Sequence, residues 1–315
     1  MTLLPDLLLF PSGTLFPAGI APTGPVSDGR STVYTIGEDF AAVNNGQPYV
    51  DVDHCWIRIT REEGWAPGAP ARVNTTKWPT RDGQRSSQLL QDARTILLGG
   101  QIVAGDQMSL QRAMDRITSL LAGDLREDIL TVAEPHLRRH LVVRRDGDPQ
   151  VARWSPFYAT FLLTLVADDP RRLGDTLTAT AKLPASTGGW TFPTTFPLTI
   201  GSTVVSGTAT LTNPGSVRGP VVVRIDGPCI GPVITHLGSG EQLVLGSDYE
   251  LPAGNWLTVD MDNKIVLEND QVSRNGFITN RGWSGFDPGD NEWAFTASVY
   301  NPATVFTITA QPAWP

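Results

Sequence analysis

The densest set of possible metal ligands in this 315-residue sequence lies at residues 51–55, which read DVDHC. Side chains on a β-strand alternate between its two faces, so Asp51, Asp53 and Cys55 would share one face and His54 would lie on the other. A zinc site needs its ligands to converge on one point, and this alternation prevents that. The pattern therefore favours a strand with one solvated face over a metal centre.

Asp260, Asp262 and Asn263 form a second cluster of side chains with oxygen ligands, the ligand type that Ca²⁺ prefers. A calcium loop of the EF-hand type needs a glycine at its sixth position and a glutamate at its twelfth. Here Lys264 stands at the fifth position, and neither the glycine nor the glutamate follows. The cluster is typical of a hairpin turn, and we predict no metal site.

His136 and His140 flank Arg138 and Arg139, and no motif for a nucleophile stands beside them. The sequence contains no G-x-S-x-G, H-E-x-x-H, Walker or G-x-G-x-x-G motif. Neither nucleophilic catalysis nor a nucleotide cofactor is therefore indicated. We predict a protein that is not an enzyme and that uses no cofactor.

Length and charge narrow the class of protein further. A chain of 315 residues with 40% hydrophobic residues buries a substantial core and ordinarily forms two domains. Its net charge of −8 disfavours a protein whose main role is to hold nucleic acid. No stretch is apolar for long enough to span a membrane, so we predict no membrane insertion. Cys55 and Cys229 are far apart in the sequence, and we expect both to be free, buried thiols.

The elements that position these residues differ between the two halves of the chain, and the first half, residues 1–178, predicts an α+β domain. Apolar residues at a spacing of three and four predict one helix over 110–121. Asp106 or Ser109 is the expected N-cap, and Gly123 stands just past the end.

Strands complete the first half. Residues 60–92 are polar, follow no sustained period and predict an extended arm. The sequence around Gly99 and Gly100 predicts two short strands about a turn. Alternating runs predict further strands over 129–133, 137–145 and 157–167.

The second half, residues 179–315, predicts a domain built only from β-strands. Short runs of Val, Ile, Thr and Phe recur every 8–12 residues, with Pro and Gly turns between them. About nine strands in this length indicate a β-sandwich or jelly roll. Tryptophans could offer a platform for a sugar in the sandwich, but core or interface positions are more common for this residue. The tryptophans considered across both halves are Trp65, Trp78, Trp190, Trp256, Trp283, Trp293 and Trp314.

Tryptophan and arginine are enriched at protein interfaces; both occur in the arm, and four arginines occur in the strand 137–145. The arginines of this strand could contact DNA, but acidic neighbours favour ion pairs within or between subunits. We therefore select a set of candidate subunit-interface residues: Trp65, Trp78, Arg81, Arg85, Arg138, Arg139, Arg144 and Arg145.

Turn-rich motifs run through the second half in a specific order: GGWTFPTTFP (188–197), LTNPG (211–215), VVRIDGP (222–228), PVI (232–234), LPAG (251–254), VDMD (259–262) and WSGFDPGDN (283–291). Their order and spacing resemble the carboxy-terminal sandwich of siphophage distal tail proteins, the Dit family. The first half is similar to that family more loosely, through the helix at 110–121 and an acidic–Pro–Arg turn at 168–172.

The resemblance implies a mainly β fold: an N-terminal split barrel with one helix and an extended arm, then a galectin-like β-sandwich. It implies a structural hub of the phage tail tip that forms a ring, hexameric in that family. The ring would join the tail tube protein to the tail-associated hub protein, adjoin the tape measure protein and let DNA pass through its lumen. The protein would be made in the host cytoplasm and reside in the virion at the tail tip.

Two other functions are compatible with the sequence. A receptor- or carbohydrate-binding minor tail protein would use the sandwich, and an inserted aromatic-rich loop would distinguish it; the sandwich sequence is compact and has no such insertion. A cell-wall hydrolase would need two carboxylates facing each other across a cleft, which sequence alone cannot reveal.

Overall fold

The chain divides into two compact units, described here from a computed structural model. The first unit comprises Met1–Arg172 with Pro315, and the second comprises Leu173–Trp314. The predicted boundary after residue 178 falls inside a strand, Leu177–Lys182, which pairs within the second unit. The structure describes residues 7–9, 15–17, 31–37, 39–44, 49–50, 55–86, 90–123, 126–183, 185–187, 203–205, 207–299 and 301–315.

The first unit contains short strands, a set of longer strands and one α-helix. In chain order they are β1 (Leu7–Leu9), β2 (Leu15–Pro17), β3 (Thr32–Ile36), β4 (Phe40–Asn44), β5 (Tyr49–Val50), β6 (Cys55–Glu63), β7 (Ala71–Arg72), β8 (Thr75–Lys77), β9 (Gln84–Ser86), β10 (Leu90–Gln91), β11 (Arg94–Ala104), α1 (Gln107–Ser119), β12 (Glu127–Ala133), β13 (Arg138–Arg145), β14 (Gln150–Ser155), β15 (Tyr158–Ala167) and, at the boundary, β16 (Arg172–Leu173).

Seven of these strands form a closed barrel. Their order is β15, β11, β6, β4, β3, β12, β13, and β13 returns to β15 through the pairs Arg144 with Val166 and Arg145 with Leu165. All neighbours are antiparallel except β4 and β6, which run parallel. Strand β14 adds to the outside edge of β15. The mainly β fold and the barrel with one helix are therefore confirmed.

The helix α1 follows β11 and lies where the apolar spacing predicts it. The Asp106 side chain is the N-cap and accepts hydrogen bonds from the backbone N–H groups of Met108 and Ser109, both at 2.9 Å. Leu110 and Ile117 are buried on the face turned to the barrel core. The helix ends at Ser119, a few residues before the predicted end. Among the described residues, no helix combines the length and apolar content that a bilayer span requires.

Gly99 and Gly100 lie in the middle of one continuous strand, β11, so the predicted pair of short strands is wrong. The pairing of β11 with β6 shifts by one residue between the two glycines, which is a β-bulge. A Cβ atom on Gly100 would lie 2.5 Å from both the Arg58 carbonyl oxygen and the Phe161 ring. The glycines therefore admit a close approach of backbone and ring inside the barrel wall rather than a turn.

We expect Gly100→Ala to lower the free energy of unfolding by about 1–3 kcal/mol, because the added methyl group overpacks the barrel. Gly105→Ala is the matched control, since a Cβ atom there would meet nothing within 4 Å. Urea unfolding of the two variants and the parent measures the difference. Equal stability of both variants would show that the bulge has room for a side chain.

The second unit consists almost entirely of β-strands, as predicted. They are β17 (Leu177–Lys182), β18 (Ala185–Thr187), β19 (Thr203–Val205), β20 (Thr208–Asn213), β21 (Val221–Asp226), β22 (Cys229–Ile230), β23 (Val233–His236), β24 (Gln242–Leu245), β25 (Glu250–Leu251), β26 (Trp256–Asp260), β27 (Ile265–Glu268), β28 (Val272–Ser273), β29 (Ile278–Arg281), β30 (Gly289–Thr296), β31 (Val305–Ala310) and β32 (Ala313–Trp314), with a 3₁₀ turn at Asn275–Phe277.

Two sheets of this unit enclose one hydrophobic core and form a sandwich. One sheet has the order β17, β31, β21, β26, β27, β28, and the other has the order β20, β30, β23, β24, β29. Phe295 on one sheet and Phe306 on the other stack with ring centroids 4.8 Å apart, which joins the sheets at the centre. Both cysteines are free and buried, as predicted.

The acidic cluster at 260–263 forms the hairpin turn between β26 and β27, as predicted. Asp260 Oδ1 accepts hydrogen bonds from the backbone N–H groups of Asp262 at 3.0 Å and Asn263 at 2.9 Å. The carboxylate is thus used to hold the turn. The other cluster of possible ligands, at 51–55, where the sequence disfavours a metal site, lies outside the described residues apart from Cys55. The motif at 188–197, with Trp190, also lies outside them.

Glu268 on β27 is the centre of a polar network in the sandwich. Its carboxylate accepts hydrogen bonds from Arg274 Nε at 2.7 Å and from the Tyr249 hydroxyl and Asn255 Nδ2, both at 3.1 Å. Burial acts to raise the pKa of Glu268, but these hydrogen bonds and the Arg274 charge outweigh it. The pKa of Glu268 therefore lies below its ordinary value.

A carboxylate with a lowered pKa in the folded state stabilises the fold above its ordinary pKa of 4.5, and this contribution is lost as the pH falls through the folded pKa. We expect Glu268→Gln to lower the free energy of unfolding by about 1.5–3 kcal/mol at neutral pH, since hydrogen bonds to a charge are lost. The variant should also lose less stability than the parent on acidification below pH 4.5. Glu250→Gln, at an exposed position, is the control. A parallel pH dependence in the parent and Glu268→Gln would contradict this role.

Candidate assembly surface

The predicted arm is a β-hairpin whose strands pair only with each other in the described part of the chain. Strand β7 pairs with β10, and β8 pairs with β9, so the chain runs out and returns alongside itself. Every described residue from 70 to 93 is exposed. Residues 60–63, predicted as part of the arm, instead belong to β6. We therefore define the arm as residues 68–92.

The tip of the arm carries two of the predicted interface residues in contact with each other. The guanidinium carbon of Arg81 lies 3.9 Å from the centroid of the Trp78 ring, a cation–π contact. Trp78 remains 39% exposed, and Arg85 on the neighbouring strand is exposed as well. An exposed tryptophan framed by arginines is a surface suited to contact with another protein.

Arg94, two residues after the end of the arm, holds the root of the arm against the barrel. The side chain is 1% exposed. Its Nη1 group donates hydrogen bonds to the carbonyl oxygens of Gly64 at 2.7 Å, Trp65 at 3.0 Å and Pro67 at 2.6 Å, and its Nε donates to Pro170 at 3.0 Å. One guanidinium thus joins the chain entering the arm to the chain leaving it.

Trp65 lies beside Arg94 and is 2% exposed, so its selection as an interface residue is wrong. Its indole N–H donates to Glu134 Oε1 at 3.3 Å. The guanidinium carbons of Arg139 and Arg172 each lie 5.7 Å from its ring centroid. Arg139 is also buried and forms an ion pair with Glu134, so it too belongs to this interior cluster.

Burial of the charged side chains in this cluster shifts the pKa values of its members and of a neighbouring tyrosine. Burial lowers the pKa of Arg94, and the neighbouring Arg139 charge lowers it further. Burial and the charges of Arg139 and Arg94 lower the pKa of Arg172 to about 10, which still leaves it charged at neutral pH. Burial, then the Glu62 charge, raise the pKa of Tyr34 above its ordinary value. The cluster is therefore held by specific hydrogen bonds against a substantial desolvation cost.

We expect Arg94→Met to lower the free energy of unfolding by about 3–5 kcal/mol, because it strands buried carbonyl groups and breaks a buried charge network. Arg72→Met is the matched control: Arg72 is exposed in the arm and its one ion pair, with Asp92, is 3.5 Å long. Urea unfolding gives the comparison. A loss below 1 kcal/mol in Arg94→Met, equal to the control, would mean that the arm root does not depend on this residue.

The remaining predicted arginines lie on or near β13, whose alternation follows the prediction. Arg138 is exposed, while Arg144 and Arg145 are half-buried. Arg144 Nη2 contacts Asp168 Oδ1 at 3.4 Å, and Arg145 Nη2 contacts Asp148 Oδ1 at 3.3 Å. Two of the predicted ion pairs are thus made within the chain.

Sequence reasoning missed a group of exposed aromatic and aliphatic side chains on the outer face of the barrel. Trp56 on β6 and Val103 on β11 are register partners and are 50% and 40% exposed. Trp154, 72% exposed, donates its indole N–H to Thr160 Oγ1 at 2.9 Å, and Phe157 is 51% exposed. We call Trp56, Val103, Trp154 and Phe157 the outer patch. Large apolar side chains grouped on a surface indicate a contact with another protein.

The histidines and possible metal ligands that the sequence singled out do not converge on one site in the described part of the chain. His136 is exposed and His140 half-buried on the barrel. Within the described ranges, no three His, Cys, Asp or Glu side chains converge as metal ligands do. In the sandwich, Trp293 is fully buried, and Trp256 has Arg224 over its ring at 4.6 Å and donates its N–H to Asp270. Trp293 is therefore closed to a sugar, and one face of the Trp256 ring is covered by Arg224.

Comparison with one solved structure identifies the fold. The crystal structure of the Dit protein (gp 19.1) of phage SPP1 aligns with a TM-score of 0.56 at 14% sequence identity, over 82% of this chain and 94% of that chain. The chain has the Dit fold. A chain of the phage P2 baseplate, in its activated conformation with Ca, aligns with a TM-score of 0.45 at 10% identity, over 88% of this chain and 97% of that one. No protein-family model and no curated sequence matches this chain.

The alignment with SPP1 Dit extends across both units. The larger unit spans residues 1–172 and residue 315, so it cannot by itself supply 82% of a 315-residue chain. The Dit fold therefore includes at least part of the barrel unit and part of the sandwich unit. SPP1 Dit is described as a hub of the adsorption apparatus in phages that infect Gram-positive bacteria.

Proposed function

We propose that this chain is a structural hub protein of a siphophage tail tip. The observation that carries the proposal is the alignment with SPP1 Dit over 94% of that protein, which includes both the barrel and the sandwich. A shared two-domain architecture supports a shared place in the virion more strongly than either common β fold would alone. Its location is then the virion tail tip, after synthesis in the host cytoplasm.

The hub acts by assembly rather than by catalysis. Copies of the chain form a ring through their first units, with the exposed arm and the outer patch as contacts. The ring joins the tail tube protein to the tail-associated hub protein, adjoins the tape measure protein and lets DNA pass through its lumen. Exposed Trp78, Trp56 and Trp154 support this role, because large aromatic side chains are typical anchors of protein interfaces.

The arm is the contact that an experiment can remove most cleanly. Its strands pair with each other, while the root at Trp65 and Arg94 is in the core, so a Gly-Ser-Gly link in place of 71–91 leaves the barrel intact. We expect the parent to form rings with a central hole in negative-stain electron micrographs and the shortened variant to remain a folded monomer. Sedimentation and circular dichroism check mass and folding.

The matched control replaces the turn 262–264 of the sandwich with the same Gly-Ser-Gly link and should retain rings. Rings in the shortened variant would exclude the arm as the ring contact. A parent that stays monomeric at high concentration, alone and with its tail tube protein, would overturn the proposed ring itself.

A further inference from the structure

An open pocket of about 210 Å³ lies at one end of the barrel. The residues that line it lie between 121 and 148 and do not include Trp65 or Arg94 of the arm root. It is formed where α1 ends, where β12 begins and where β13 turns into β14. Three arginine side chains and one aspartate line it, with two glycines between them: Arg126, Arg144, Arg145, Asp148, Gly123 and Gly147.

Arg145 builds the pocket wall. Its Nη1 group donates to the carbonyl oxygens of Thr118 at 3.0 Å and Leu120 at 3.4 Å, at the C-terminal end of α1. Positive charge at this end of a helix is favourable, because the helix dipole is negative there. Arg145 therefore stabilises the C-terminal end of the helix through its hydrogen bonds, and its positive charge also faces the pocket.

The side chains of Arg126 and Arg144 make fewer polar contacts with described residues than that of Arg145 does. In the described part of the chain, Arg126 makes one ion pair, with Asp39 at 3.8 Å, which is too long for a hydrogen bond. Arg144 makes one contact, with Asp168 at 3.4 Å. Each guanidinium has five N–H donors, so both retain donors for a ligand.

The glycines keep the pocket open. Gly123 has φ +118 and Gly147 has φ +74, conformations that side chains rarely adopt, and a Cβ atom at either would meet nothing within 4 Å. At these two positions, the glycines therefore leave the space beside the backbone unfilled.

The charges select the kind of ligand. Among the described residues, the lining has three positive side chains and one negative side chain, Asp148. Around the rim, the carboxylates of Asp39 and Asp168 are exposed, with side-chain exposures of 59% and 66%. A single carboxylate group that enters the pocket would meet the net positive charge of this lining.

We propose that this pocket binds a glutamate or aspartate side chain of an acidic peptide segment from a partner protein, with Arg126 and Arg144 as the residues that contact it. The planar fork of a guanidinium matches a carboxylate in geometry and in charge. The site is separate from the arm and the outer patch and does not depend on ring formation, so it survives if the ring proposal fails.

The test measures binding of a short amidated peptide, Gly-Glu-Gly-Glu-Gly, to the full-length chain at low salt. Nuclear magnetic resonance of the arginine Nε–H groups gives both the affinity and the location. We expect saturable shifts, with an affinity lowered about tenfold or more in Arg126→Gln/Arg144→Gln, because charge-assisted hydrogen bonds are lost. The peptide with glutamine in place of glutamate should produce no shifts.

Arg112→Gln/Arg153→Gln is the matched control, since it removes the same charge from exposed arginines outside the pocket and should bind the peptide as the parent does. Equal losses in the two double variants would overturn the site in favour of general charge attraction. Tighter binding of inorganic phosphate or of a short DNA duplex than of the peptide, lost in Arg126→Gln/Arg144→Gln, would overturn it in favour of a phosphate site. The absence of saturable peptide shifts in the parent would overturn it outright.

Discussion

A single buried guanidinium determines how the barrel unit presents its arm. Arg94 bonds to backbone carbonyls on three residues before the arm and on Pro170 after β15, so the arm enters and leaves the barrel at one fixed point. A buried charge is costly, and four hydrogen bonds from Nε and Nη1 of Arg94 to backbone carbonyl oxygens offset this cost. Trp65, Arg139, Arg172 and Glu134 surround it and complete the root.

This arrangement combines a rigid root with an exposed hairpin. The arm residues make few contacts with the rest of the described chain, so their free energy of ordering must come from a partner, while their direction is set in advance by the root. Preorganisation of this kind lowers the entropy lost on binding. It is an advantage for a subunit that must find the same contact many times during assembly of one particle.

Much of the fold follows from local patterns. Alternation over β13 places Arg139, Leu141 and Val143 inside and Arg138 outside, as the sequence predicts. The same rule applied to β6 would have revealed Trp56, which is out of phase with the buried Ile57 and Ile59. The outer patch was missed because the position of a tryptophan on its strand was not considered.

Other features depend on contacts between distant residues and cannot be predicted locally. Gly99 and Gly100 suggested a turn because a pair of glycines is common both in turns and in β-bulges. The two cases differ in a contact that is distant in sequence, here the close approach of the Phe161 ring to Gly100. Trp65 reads as part of a polar segment, yet Arg94, Arg139 and Arg172 draw it into the core. The pocket at Arg126 and Arg144 arises only when the ends of α1, β12 and β13 meet.

Closure of the barrel has a consequence for how the virus avoids misassembly. Because β13 pairs back to β15, each of the seven barrel strands has a partner strand on both sides within the described part of the chain. The added strand β14 has six residues, with a pairing irregularity between Arg153 and Ser155. Open, regular strand edges would let newly made copies stack without limit into fibres. A closed barrel has fewer open strand edges of this kind, so contacts of this unit with other chains depend more on side chains.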